Sequence, residues 1–293
     1  MRRKGLKRLS FLGFLNIFFI VLFALACVLP MILVLSISLS TDSAIRLYGY
    51  QLIPKEWSFE AYRLLFQGNS SVFRSYFVTI AMTLTGTVTA VMISTMAAYT
   101  LLNKSVRYRN ALAFYFFIPM VFSGGLVPWY LMCRNLGLVN NFLALVVPGG
   151  LFSAFNMFLC RNFMRSIPDS LMESAKLDGA SDIRIAFMIY FPLSTPVIAT
   201  IALFYGIGYW NSWFNAIMLV NNEKLFPLQY MLMKIQSDIA ALARLQPGVS
   251  VRNMPGESLK MATCILTVGP IVLLYPYLQK YFIKGLIIGG VKG

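Results

Sequence analysis

The sequence has no histidine, little charge and only four cysteines, and each shortage removes a class of function. Without histidine the commonest general base and metal ligand is missing. Charged residues make up 12% of the chain, about half the roughly 25% of a soluble domain, which argues for lipid as the main solvent. Cys27, Cys133, Cys160 and Cys264 stand apart in apolar surroundings with no ligand spacing, so they read as small core residues rather than a metal or redox site. No Gly-x-x-x-x-Gly-Lys-Ser/Thr phosphate loop occurs, so the chain does not itself hydrolyse ATP. No nucleophile–base pair or metal cluster stands out, and no catalytic, cofactor-binding or metal residue is assigned.

What the chain has in quantity is apolar length: 58% of its 293 residues are hydrophobic. Backbone groups in hydrocarbon must be satisfied internally, and long unalternating apolar runs select helices over a barrel. The reading is an all-α polytopic membrane protein, a single domain over 1–293 with six spans near 11–39, 72–102, 110–132, 141–163, 185–210 and 259–282. Polar or mixed stretches at 40–71 and 211–258 become outer loops. Pro119, Gly124, Gly125 and Pro128 are expected to kink or unwind the third span. The apolar run after Arg8 continues well past Cys27, too far for a signal peptide, so it reads as an uncleaved first helix.

A net charge of +15 suits nucleic acid only if the charges form a patch, and here they sit at the ends of apolar runs. Five Lys or Arg lie in the tail before residue 9, three at 103–109, four at 161–184 and three from Lys280 on, against ten spread over the longer loops of the other side. The positive-inside rule then puts both termini on the cytoplasmic side of the membrane. No ionisable residue falls near the middle of a span, which removes the buried relay that proton- and ion-coupled carriers need. Around Pro54–Phe66 the residues Phe59, Tyr62 and Phe66 recur at helical spacing, the pattern of a short interfacial helix.

One polar stretch lies between two membrane-length runs on the cytoplasmic side, Glu173 to Pro192. Ser170 and Glu173 fit a capping box, Leu171 and Ala175 fall on one helix face, and Gly179 suits a left-handed C-cap. Ser181 or Asp182 can start a second helix running through Ile189 to Phe191. The expected product is a pair of short helices over 168–191 with a sharp bend. Locally, Glu173 is equally consistent with a cap and with a contact. Nearer the outer side, Tyr205, Tyr209, Trp210, Asn211, Trp213 and Asn215 gather aromatic rings and amides; they suit either an interfacial belt or a sugar path, since sugars bind by ring stacking and amide hydrogen bonds.

Glu173-x-Ala175-x-x-x-Gly179, nine residues, then Ile189-x-Phe191-Pro192 resembles the EAA signature of ABC importer permeases, with Ser174 and Phe191 as mild departures. Pro54–Phe66, Ala97–Tyr99, Ile118–Pro119, Leu136–Leu138 and Ile167–Pro168 resemble the carbohydrate branch of that family, the maltose-permease-like second subunits. Lys176–Gly179, the aromatic cluster at 210–214 and Pro227–Gln229 resemble most the subgroup for oligosaccharides of complex polysaccharides, which includes permeases for alginate and for pectin fragments. The resemblance implies the type I ABC importer permease fold. It implies a heterodimer with a second permease, two ATPase subunits that bind ATP and Mg, an extracytoplasmic solute-binding protein and no cofactor on this chain. Glu173, Ser174, Ala175, Asp178, Gly179, Ile189 and Pro192 would couple to the ATPase, with Ala175 and Gly179 small so that its backbone comes close. The readings that compete are a permease for a non-sugar solute and an ion-coupled carrier.

Overall fold

A computed structural model describes residues 11–67, 70–245 and 256–290. Every regular element among them is helical: α1 (Phe11–Ser38), α2 (Asp42–Tyr48), α3 (Glu60–Phe66), α4 (Ser70–Leu102), α5 (Arg109–Val121), α6 (Leu126–Asn135), α7 (Leu143–Val146), α8 (Ala154–Met164), α9 (Asp169–Leu177), α10 (Asp182–Leu193), α11 (Thr195–Trp210), α12 (Phe214–Leu219), α13 (Leu228–Leu245) and α14 (Glu257–Gly290). α10 contains a π turn over Ala186–Tyr190, and a short 3₁₀ turn spans Glu223–Leu225. The basic tail before residue 9, Pro247–Gly248 and Lys292 lie outside the described residues.

The chain forms two compact units. The first comprises the residues up to Gly68 together with Gln236–Gly269. Its main element, α1, exposes Phe14, Phe18, Phe23, Ile32 and other apolar side chains along its length, as contact with lipid tails requires. The end of α1 is tied to the loop that follows. Ser36 Oγ donates to Gln51 O (2.7 Å), Ser38 Oγ lies 2.8 Å from Tyr62 Oη, and Ser58 N donates to Leu39 O (2.8 Å). Asp42 accepts from the amides of Gly256 (2.7 Å), Glu257 (3.2 Å) and Ser258 (3.1 Å), so a carboxylate more than 200 residues away caps the start of α14. Of the stripe Phe59, Tyr62 and Phe66, only Tyr62 turns inward; α3 buries Ala61 and Leu65 instead.

The second unit comprises Asn69–Ile235 with Pro270–Gly293. α4 packs along α11 and α8, and Met82, Ala90, Ala98, Met157, Cys160, Tyr190 and Ile201 are fully buried between them. Small side chains such as Ala90 and Ala98 let helices approach closely where lipid supplies no hydrophobic drive.

Three of the expected spans are broken rather than straight. α5 and α6 are bent by 118° across Phe122–Gly125, where Gly125 adopts φ +83°. Pro119 sits inside α5 without ending it, so the glycine rather than the proline makes the break. The stretch read as the fourth span contains a non-helical segment, residues 147–153, between α7 and α8. α10 and α11 meet at 83° around Ser194, so the fifth stretch is a bent pair of helices that is long and apolar enough to span only when both are taken together. The stretch read as a long outer loop carries α12 and α13; Leu228 and Leu232 of α13 are buried one turn apart, a helical spacing in a stretch that also carries Lys234 and Asp238. Cys133 and Cys160 are buried as expected, whereas Cys27 and Cys264 are exposed on apolar helices.

Candidate functional site

The bend at Gly179 is built from local rules. α9 begins at Asp169, whose carboxylate favours the positive end of the helix dipole. Its N-cap is Pro168, which makes no side-chain cap bond, so the Ser170–Glu173 capping box does not form. The helix starts two residues too early for Ser170 to stand outside it. Glu173 is exposed and has no ion pair among the described residues, which leaves it available for an outward contact. At the other end Gly179 adopts φ +77°. Its amide donates to Lys176 O and that of Ala180 to Ala175 O, both at 3.0 Å, a Schellman closure. Ser181 Oγ then accepts from Arg184 N (3.4 Å) and starts α10.

The seven residues expected to meet an ATPase divide by exposure. Ser174, Asp178, Gly179 and Pro192 join Glu173 on the exposed side. Ala175 and Ile189 are half-buried against the core of their own unit, so the small side chain of Ala175 also fits a close approach within its own chain. The inward face of α9 is Met172 with Ala175; Leu171 is exposed. Sequence reasoning missed a set of apolar side chains in the open: Leu177 is 89% exposed and Ile183 66%, with Phe187 and Met188 also exposed. Their signal was present, because leucine and isoleucine flanking Asp178–Asp182 have no core to enter.

The loop at 103–105 holds this helix pair from behind. Lys104 Nζ lies 2.5 Å from Asp169 Oδ2, and Lys176 Nζ bonds Ser105 Oγ (3.1 Å) and pairs with Asp182 (3.5 Å). The Asp169 hydrogen bond and charge raise the Lys104 ammonium above its ordinary value. Exposed pairs of this kind stabilise little because solvent screens them, so they serve as registration rather than as glue.

A second feature lies within the same unit. A cavity of about 360 Å³ is lined by the broken segment (Leu145, Pro148, Gly149, Gly150, Ser153), by Asn156 of α8, and by Phe204, Tyr205, Gly208, Tyr209, Ser212 and Asn215. No charged side chain among the described residues lines it. Two tyrosines hold the broken segment in place. Tyr205 Oη is 2.6 Å from Ser94 Oγ and accepts from Ser153 N (2.9 Å); Tyr209 Oη donates to Val146 O (2.9 Å). The Tyr209 ring lies between Gly86 of α4 and Gly150, where a Cβ on either glycine would overlap it. Asn215 Nδ2 donates to Pro148 O (2.7 Å). These groups satisfy backbone atoms that the break in helix frees, as hydrocarbon surroundings demand.

Of the six residues grouped for a sugar path, the structure brings Tyr205, Tyr209 and Asn215 to the cavity. Trp210 is buried away from it. Asn211 is exposed and returns its amide to Ile207 O (3.0 Å), and Trp213 is exposed edge-on to Phe214. The cavity residue that sequence reasoning missed is Asn156. It is 6% exposed, and its carboxamide makes no hydrogen bond among the described residues. An amide inside the apolar run 154–164 was the available signal.

A bent helix pair at the membrane edge and a cavity beside a broken span are the features of a transport subunit. Residues 90–288 match the family described as binding-protein-dependent transport system inner membrane component, and the chain belongs to it. It is therefore a multi-pass inner membrane permease subunit and not an enzyme, in agreement with the resemblance carried by Glu173–Pro192. It is 37% identical over 282 residues to the polygalacturonan/rhamnogalacturonan transport system permease protein YtcP of Bacillus subtilis (strain 168), covering 94% of this chain and 96% of that one. It is 36% identical over 270 residues to protein LplC of the same organism, covering 91% and 90%. Among solved structures it resembles a chain of a bacterial ABC transporter involved in the import of the acidic polysaccharide alginate, with a TM-score of 0.81, 32% identity and coverage of 92% and 96%.

Proposed function

We propose that this chain is one of two permease subunits of an ABC importer that brings oligosaccharides of acidic polysaccharides into the cytoplasm. It has six spans, and both its termini are cytoplasmic. A second permease, two ATPase subunits holding ATP and Mg, and an extracytoplasmic solute-binding protein complete the transporter, and the outer loop from Asn221 to Ser258 reaches toward the binding protein.

The observation that carries this reading is the helix pair α9–α10. It pairs exposed Glu173 and Asp178 with Leu177, Ile183, Phe187 and Met188 in water, a mixed apolar and acidic face that a soluble ATPase can cover. Behind it, α10 meets α11 at 83°, so displacing the pair turns a helix that lines the cavity. ATP-driven closure of the partners biases that rigid-body motion between two states. Asn156, Ser153, Ser212 and the Phe204 ring supply hydroxyl, amide and apolar contacts suited to a sugar. The uncharged lining reads ring hydroxyls rather than carboxylates.

The test is purification of the whole transporter through a tag on this chain, followed by ATPase assays with its binding protein. Oligogalacturonides or alginate oligomers should stimulate hydrolysis and maltose should not. Stimulation by an amino acid, or by no sugar at all, would remove the oligosaccharide assignment.

A further inference from the structure

The N-terminal end of α5 and the C-terminal end of α8 meet. The two helices pack together, and Lys104–Asp169 and Lys176–Ser105 tie the loop before α5 to the segment after α8. Arg109 is the first residue of α5, Arg161 lies in the last turn of α8, and Arg165 follows directly. The charges of Arg165 and Arg109 both act on the Arg161 guanidinium. None of the three has a carboxylate within 4.0 Å among the described residues. Of the acids on α9 and α10, Asp169 is engaged by Lys104 and Asp182 by Lys176, while Glu173 has no ion pair among the described residues. Arg161 Nε is buried and has no hydrogen-bond partner among the described residues.

Helix electrostatics explain only part of this. Arg161 and Arg165 suit the negative end of α8, but Arg109 sits at the positive end of α5, where a cation is disfavoured. Three unneutralised guanidiniums at one end of two apolar helices of an inner membrane protein match one ligand chemistry well: a phosphate with several acceptor oxygens, at headgroup depth. We infer that Arg109, Arg161 and Arg165 form a binding site for the phosphate of an anionic phospholipid headgroup. The site depends on membrane placement alone and not on the transported solute.

The test uses the complete transporter in phosphatidylcholine nanodiscs doped with spin-labelled phosphatidylglycerol or spin-labelled phosphatidylcholine. The protein should restrict the phosphatidylglycerol label preferentially. Arg109→Gln and Arg165→Gln should each lower that preference about fivefold, and Arg165→Lys should keep most of it. Equal restriction of both labels by the unaltered protein would overturn the site, and this comparison needs no variant. Loss of ATPase subunits from Arg165→Gln with lipid preference intact would assign the arginines to a protein partner instead. Displacement of the label by inorganic phosphate at headgroup-equivalent concentration would make the ligand a soluble anion. Uptake is not read, so failure here leaves the transport assignment standing.

Discussion

Replacing Gly179 separates conformation from contact at the bend. The residue adopts φ +77°, and a Cβ there meets nothing within 4 Å, so alanine introduces no overlap within the chain. Its cost is conformational only, about 1–2 kcal/mol for an L-residue in the left-handed region. That is a factor of roughly 5–30 in the population of the bent state. Two hydrogen bonds close the bend, from Gly179 N and Ala180 N, so a loosened bend also frees the start of α10. Gly179→Ala should therefore lower binding-protein-dependent uptake by about 5- to 30-fold, with unchanged amounts of protein in the membrane. Gly179→Asn tolerates the same φ and should recover most of the loss. Gly179→Asp shares that tolerance and adds a charge beside Asp178, so it tests the proposed contact at this exposed face. The assay is uptake of labelled oligosaccharide into proteoliposomes, normalised to permease content, with ATP hydrolysis measured in parallel. Equal uptake by the glycine and alanine proteins would refute the requirement for the bend. A fall in membrane content that matches the fall in uptake would make Gly179 a folding residue only.

Three other expectations follow from single contacts. Tyr209→Phe removes the donor to Val146 O and should lower the melting temperature of the purified transporter through a loss of about 0.6–1.7 kcal/mol, measured by thermal unfolding in detergent. Asn156→Ala removes a buried amide with no partner among the described residues; stability should hold or rise slightly while KM for uptake rises about 3- to 10-fold, and a fall in both would make Asn156 structural. The hydrogen bond from Lys234, then its charge, lowers the Glu223 carboxyl below its ordinary value. Any stability from that pair is therefore complete above the ordinary carboxylate range and lost as pH falls through the lowered value. Glu223→Gln should match the parent in thermal stability under strong acid and differ, if at all, near neutrality.

Much of the helix pair α9–α10 was legible residue by residue because its rules are local. A left-handed glycine, a serine that caps the next helix and an acidic first turn act within a few residues of chain, and Gly179, Ser181 and Asp169 sit accordingly. The capping box failed for a local reason as well: Pro168 began the helix before Ser170 could cap it. The lipid-facing helix α1 likewise follows from composition, since nothing in its surroundings decides it.

The cavity could not be read this way. Tyr205 lines the cavity, and its hydroxyl is also held between Ser94, 111 residues away, and Ser153, 52 away. Tyr209 is held by glycines on two other segments, Gly86 and Gly150, and Asp42 caps a helix that begins at Glu257. Hydropathy along the chain records whether a residue tolerates lipid, and helix signals record a few neighbours. Neither records which distant backbone atom needs a donor once a span is broken. That need arises only when helices pack, so tertiary structure alone decided which polar side chains hold the fold and which, like Asn156, remain free for a ligand.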